Sequence, residues 1–145
     1  LLLNGMIKTE SKKTEIGRNV EFVFDYMSNF SNFSLMANDK IENFKATEDK
    51  CSFTIKGMGN FGLKIIGRLP YEKISIASDP DVQSSIPLHF ILNLNFEKTE
   101  AYKCNITAVL ELDAPQIIAM MIKKQLEKAA NTLVETLKQR MEMTF

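Results

Sequence analysis

Hydrophobic periodicity changes twice along the chain, and each change marks a new kind of element. Residues 7–15 are polar with β-branched side chains interspersed, which suits an edge strand. Val20, Val23, Phe24 and Met27 then recur at helical spacing, with Asn19 placed to cap the helix and Glu21 in its first turn. This helix is expected to end near Ser28 and Asn29, and Ser31 to Met36 supply a second short helix.

From Ile41 the period falls to two. Cys51, Phe53 and Ile55 alternate with polar residues, as do Phe61, Leu63 and Ile65. Ile74 and Ile76 continue the pattern, followed by Leu88, Phe90, Leu92, Leu94 and Phe96. The last such run is Cys104, Ile106, Ala108, Leu110 and Leu112. One face is apolar and the other mostly polar, the signature of antiparallel strands covered on one side. Turns are expected at Glu48-Asp49, Gly57 to Asn60, Leu69-Pro70 and Lys98 to Glu100, with a longer proline-bounded loop from Asp79 to Pro87.

The last segment returns to helical spacing. Pro115 is placed at its first helical position, after Asp113 or Ala114. Ile118, Ile122, Leu126, Ala129, Ala130, Leu133, Leu137 and Met141 form one apolar stripe, while Lys124, Glu127, Lys128, Asn131, Glu135 and Lys138 face the other way. At about 1.5 Å per residue, a helix from Pro115 to Met143 is roughly 43 Å long, enough to cross a small domain. An apolar sheet face needs a cover, and this stripe provides one. The expected class is α+β: a curved antiparallel sheet of about seven strands wrapped around a long C-terminal helix, with two short helices after the first strand.

Composition narrows the function. The 145 residues suit one domain, taken as residues 6–143. Met6 reads as a natural start, leaving Leu1 to Gly5 as an expression or start-site remnant. Lys plus Arg number 18 and Asp plus Glu number 18, so no global field favours nucleic acid or an anionic membrane. No membrane-spanning run or complete signal peptide is visible. Cys51 and Cys104 lie in apolar alternating runs without a CxxC partner, which indicates reduced, buried thiols and a cytoplasmic protein.

The element order, together with TEIGRNVEFVFDYM at 14–27, resembles the START-like (SRPBCC) superfamily, the helix-grip fold of polyketide cyclases and lipid-transfer domains. Many members carry a Trp in the first helix and an Asp at its end; Phe24 and Asn29 take those places here. The resemblance implies a cavity between the concave sheet and the C-terminal helix. From the strand phases, its walls are expected to include Phe53, Ile65, Ile76, Phe90, Leu92 and Ile106, faced by Ala129, Ala130 and Leu133 from the helix. A fully packed core is the alternative.

The remaining motifs carry little chemistry. Gly57, Gly59 and Gly62 spell GxGxxG, but a strand rather than a helix follows, so a glycine-rich hairpin is expected and not a nucleotide site. His89 is out of phase with Leu88 and Phe90 and is expected on the convex surface. Asp79-Pro80-Asp81 reads as a turn, since it lacks the spaced ligands of a calcium loop. Lys123, Lys124 and Lys128 read as a solvated face. No cofactor, metal or catalytic group is indicated. Ile117, Met120 and Met121, however, are apolar on the helix's polar side; they fit cover by the 79–87 loop or by Phe30 and Phe33, a homodimer contact, or a pocket mouth. The leading expectation is binding or transport of a small hydrophobic or amphipathic ligand. A polyketide cyclase/dehydrase-like enzyme and a chaperone-activator-like interaction module are the alternatives.

Overall fold

The computed structural model describes residues 4–36, 40–83 and 89–143. Strands β1 (Asn4–Glu10) and β2 (Thr14–Ile16) lead into helix α1 (Val20–Met27) and a 3-10 helix, Phe30–Met36. Then come β3 (Ile41–Ala46), β4 (Lys50–Ile55), β5 (Gly59–Leu69), β6 (Lys73–Ser78), β7 (His89–Glu100), β8 (Lys103–Pro115) and helix α2 (Gln116–Met143). All eight strands form one antiparallel sheet in the order β1-β8-β7-β6-β5-β4-β3, with β2 also pairing β8. Leu88 and residues 84–87 of the expected loop fall outside the described residues.

The edge strand expected at 7–15 starts earlier and is broken. It begins with Asn4 and Gly5 paired to Pro115 and Ala114. Between the pairs Glu10–Val109 and Thr14–Ile106 it carries one extra residue, and Ser11 absorbs the irregularity. The Ser11 backbone N–H donates to the Ala108 carbonyl at 2.8 Å, and the Ser11 hydroxyl accepts from the Ala108 N–H at 2.8 Å. Pro115 closes β8 instead of opening α2, so strand passes into helix without a loop. The β7–β8 turn also falls later than expected, at Ala101-Tyr102, because both strands extend further.

Local chemistry sets the smaller elements. The Asn19 side chain accepts from the Phe22 N–H at 2.7 Å, capping α1 as its position demands. Val20, Val23, Phe24 and Met27 are all buried and join Ile16, Ile74, Phe96, Cys104 and Ile106 in the core. Gly57 and Gly59 adopt φ of 84° and 106° in the β4–β5 hairpin, a conformation that disfavours side chains. Gly62 is needed for another reason: a Cβ there would collide with the Val82 side chain. The 79–83 segment thus lies directly on β5, held by the Asp79 N–H donating to the Gly62 carbonyl at 2.9 Å.

Helix α2 packs chiefly on β8, β1 and β2, and its second half is tied down. The Lys12 N–H donates to Asn131 Oδ1 at 2.7 Å, and Lys138 Nζ donates to the Glu15 carbonyl at 2.7 Å. Glu142 accepts from the Gly17 N–H at 2.8 Å and from Lys138 at 2.9 Å. Arg140 Nε donates to the Tyr26 hydroxyl at 3.0 Å, linking α2 to α1.

Two predictions test these contacts. Gly62→Ala should destabilise by about 1–3 kcal/mol through overpacking against Val82, with Val82→Gly restoring much of the loss in urea denaturation. An unchanged midpoint for Gly62→Ala would show that the segment does not rest on β5. The second concerns Glu142, whose carboxyl is held below its ordinary value of 4.5 by the Gly17 N–H and then by Lys138. A lowered folded pKa means its stabilisation is present above that ordinary value and lost as pH falls through the folded one. Glu142→Gln should therefore be less stable at pH 7, by no more than about 1 kcal/mol given its partial exposure, and the difference should vanish on acidification. A pH-independent difference in denaturation midpoint would contradict this.

Candidate functional site

The sheet has two covers, which lie over different strands. Helix α2 lies over the β1–β2–β8 side, while the 3-10 helix lies over β3 and β4. Between them is a cavity of about 200 Å³. Its floor comes from alternate positions of neighbouring strands: Cys51 and Phe53 on β4, Leu63 on β5, Ile76 on β6, and Leu92 and Leu94 on β7. Cys51 sits opposite Leu63 and Ile76 opposite Leu92, so the register sets these side chains in rows. Leu133 and Leu137 of α2 form one wall. Met27, Phe30 and Phe33, with Ile41 and Phe44 of β3, form the other. Phe33, Ile41 and Phe44 are half-buried and make its solvent side. Phe44 and Phe53 stack with ring centroids 6.4 Å apart, and Phe53 continues the ladder to Phe61 at 6.1 Å.

Of the residues expected to form the walls, Phe53, Ile76, Leu92 and Leu133 line this cavity. Ile65, Phe90, Ile106, Ala129 and Ala130 do not. Ile106 has the expected phase but is fully buried on β8, where α1, β2 and α2 fill the space. Ile65 packs half-buried against that core, and Phe90 is half-buried near the start of β7. Ala130 is buried while Ala129, one helical step of about 100° away, is exposed. Periodicity gave the right strand faces but could not show which part of each face the helix would fill. Cys51, Leu63 and Leu94 were in phase and visible on that ground. The contributions of Phe30 and Phe33 depend on how the 3-10 segment folds back, and that of Phe44 on β3 lying at the edge of the sheet, for which the sequence carries no periodic signal.

The lining is wholly apolar apart from one thiol. Burial pushes the Cys51 thiol up to about 11, with the carboxylate of Asp79 acting in the same direction. Cys104, buried in the core and away from the cavity, is also raised to about 11, first by burial and then by Glu21. Both are free. No carboxylate, lysine or histidine lines the cavity among the described residues, and no cluster of metal-ligating groups occurs among them. His89 is exposed at the start of β7. The GxGxxG glycines run from one strand directly into the next, with β5 beginning at Gly59. A larger, shallow groove of about 570 Å³ along the outer face of α2 is lined by Lys124, Glu127, Lys128 and other polar residues, and has no enclosing wall.

A long helix gripped by a curved antiparallel sheet, with two short helical segments inserted after the second strand, defines the START-like helix-grip fold. Solved structures agree. A START superfamily protein from Mycobacterium smegmatis superposes with a TM-score of 0.71 at 13% identity, over 94% of this chain and 97% of that one. A truncated norcoclaurine synthase from Thalictrum flavum gives 0.67 at 10% identity, over 98% and 96%. The same enzyme in complex with dopamine and hydroxybenzaldehyde gives 0.65 at 12%, over 98% and 89%. At such identities the likeness is one of fold. No protein-family model and no curated protein matches the sequence.

The thiols give a direct test of this geometry. With pKa values near 11, only about one thiol in a thousand is ionised at pH 8, and the thiolate is the reactive form. Both cysteines should resist an aromatic disulfide reagent in the native protein and react together on unfolding. Rapid modification of Cys104 without unfolding would show the core side of the sheet to be open.

Proposed function

We propose that this protein binds a small hydrophobic or amphipathic molecule in the cavity between the sheet and the second half of α2. The observation that carries this is the lining: thirteen residues from eight elements converge on one space with no charged group among them. Such a lining offers water little to bond to, since an ordered buried water takes two to four polar partners. Its size bounds the ligand. At about 200 Å³ it exceeds the roughly 150 Å³ that accommodates benzene and falls below the ~300–1,000 Å³ of drug-sized sites. A single-ring aromatic or short branched chain fits, with any polar end directed past Phe33, Ile41 and Phe44 to solvent.

The norcoclaurine synthase complex contains two single-ring aromatic molecules, which is consistent with ligands of this size on this fold. Acid–base catalysis would need a titratable group within reach of the bound molecule, and among the described lining residues there is only the Cys51 thiol. Binding and carriage therefore fit the site better than a cyclase reaction.

Titration calorimetry and thermal shift with benzene, toluene and phenol should show binding. A ligand present at about a hundred times its Kd should stabilise the fold by about 2.7 kcal/mol. Leu133→Trp, which projects bulk into the space, should abolish the shift while the variant still unfolds cooperatively. Absence of heat and of thermal shift with every probe would falsify the reading and leave a packed helix-grip domain.

A further inference from the structure

The first turns of α2 group three strongly exposed apolar side chains within five residues. Ile117 and Met120 are each 75% exposed and Met121 70% exposed, so neither the described part of the 79–83 segment nor Phe30 and Phe33 cover them. Phe30 is instead buried within the cavity wall. The pattern that follows along the helix is informative. Ile117, Met121, Lys124 and Lys128 recur at helical spacing on one outer face, so that face reads apolar at its tip and basic behind it. From Ile117 to Lys124 is about 10 Å along the axis.

A second tip repeats the arrangement. Met58, about half exposed, lies in the β4–β5 hairpin, and exposed Lys56 stands just behind it. The pairings Ile55–Gly59, Leu63–Ser78, Ala77–Ile91 and His89–Asp113 place this hairpin on the same rim of the sheet as the start of α2. The two tips are about three strand spacings, or roughly 14 Å, apart along that rim.

We infer that this rim docks on an anionic lipid surface, with Met58, Ile117, Met120 and Met121 entering the interface and Lys56, Lys123 and Lys124 meeting the headgroups. The chain's zero net charge excludes long-range attraction but not a local one. A two-fold contact sets the same patch against itself, where Lys123 and Lys124 would meet a mixed surface that also holds exposed Asp113 and Glu127. An anionic bilayer complements both features. The inference is independent of the cavity's occupant, although a lipid surface is also a natural source of an apolar ligand.

Flotation with phosphatidylcholine vesicles, with and without phosphatidylglycerol, tests it. Binding should require the anionic lipid and weaken with salt. The double variant Lys123→Gln, Lys124→Gln should lose about thirtyfold in affinity, the factor for about 1 kcal/mol per lysine. Met120→Asp with Met121→Asp should abolish flotation while the toluene thermal shift of the cavity is retained, which separates loss of docking from loss of ligand binding. Three results would overturn the inference: no flotation of the wild type with anionic vesicles, flotation indifferent to both variants, or a wild-type dimer by sedimentation equilibrium that Met121→Asp dissociates.

Discussion

A single helix cannot cover this sheet, and the rest of the structure follows from that mismatch. A helix with its side chains is about 10–12 Å across. Seven strands in the hydrogen-bonded path span about 29 Å at ~4.8 Å each. Curvature reduces the deficit without removing it. Helix α2 therefore seals one side, where Ile16, Cys104 and Ile106 are completely buried. The α1 and 3-10 segment roofs the other, supplying Phe30 and Phe33. The cavity is what remains between the two covers. Its apolar lining is the same alternation that makes the core, left without an opposing layer.

The anchoring of α2 is correspondingly uneven. Its second half is held by Asn131, Lys138, Arg140 and Glu142 to three different parts of the chain. Its first turns emerge directly from β8 and bury little beyond Ala119. Local stability follows buried contacts and protected hydrogen bonds, so the two halves differ in how readily they shift. Leu133 and Leu137, which wall the cavity, lie in the anchored half. The cavity is thus shaped by the rigid part of the helix while its exposed apolar part stays free to meet something else.

How much of this was legible in the sequence depended on whether a signal was local. The Asn19 cap, the α1 face and the alternation of β4 to β8 each rest on neighbours within a few residues, and the structure follows them. The helix-grip class was legible because element order and one amphipathic stripe constrain the ways to cover an apolar face. Boundaries were less so: β8 and β1 support each other as far as Asn4–Pro115, and that mutual pairing overrides proline's preference for a helix start. The cavity walls were half legible. Phe53, Ile76, Leu92 and Leu133 follow from phase alone, whereas Ile106 has suitable phase but lies where the core closes, and Ala130 is buried away from the cavity. The difference is tertiary, fixed by which strands α2 crosses, and no periodicity records it.

On the proposed reading, an apolar cavity of this kind also limits what selectivity the protein could have. Discrimination in a hydrophobic site amounts to about 1–3 kcal/mol per methylene, and stringent rejection of analogues requires buried polar groups that would be left unpaired. None of the described lining residues offers such a group beyond the Cys51 thiol, whose high pKa keeps it neutral. Recognition must then operate by volume and shape: too large a molecule strains close-packed walls, and too small a one leaves part of the cavity unfilled. Polar selectivity can arise only at the rim, where Phe33, Ile41 and Phe44 give way to solvent. A binding site built in this way would suit a class of compounds of one size rather than a single metabolite, because nothing in its lining reads polar detail.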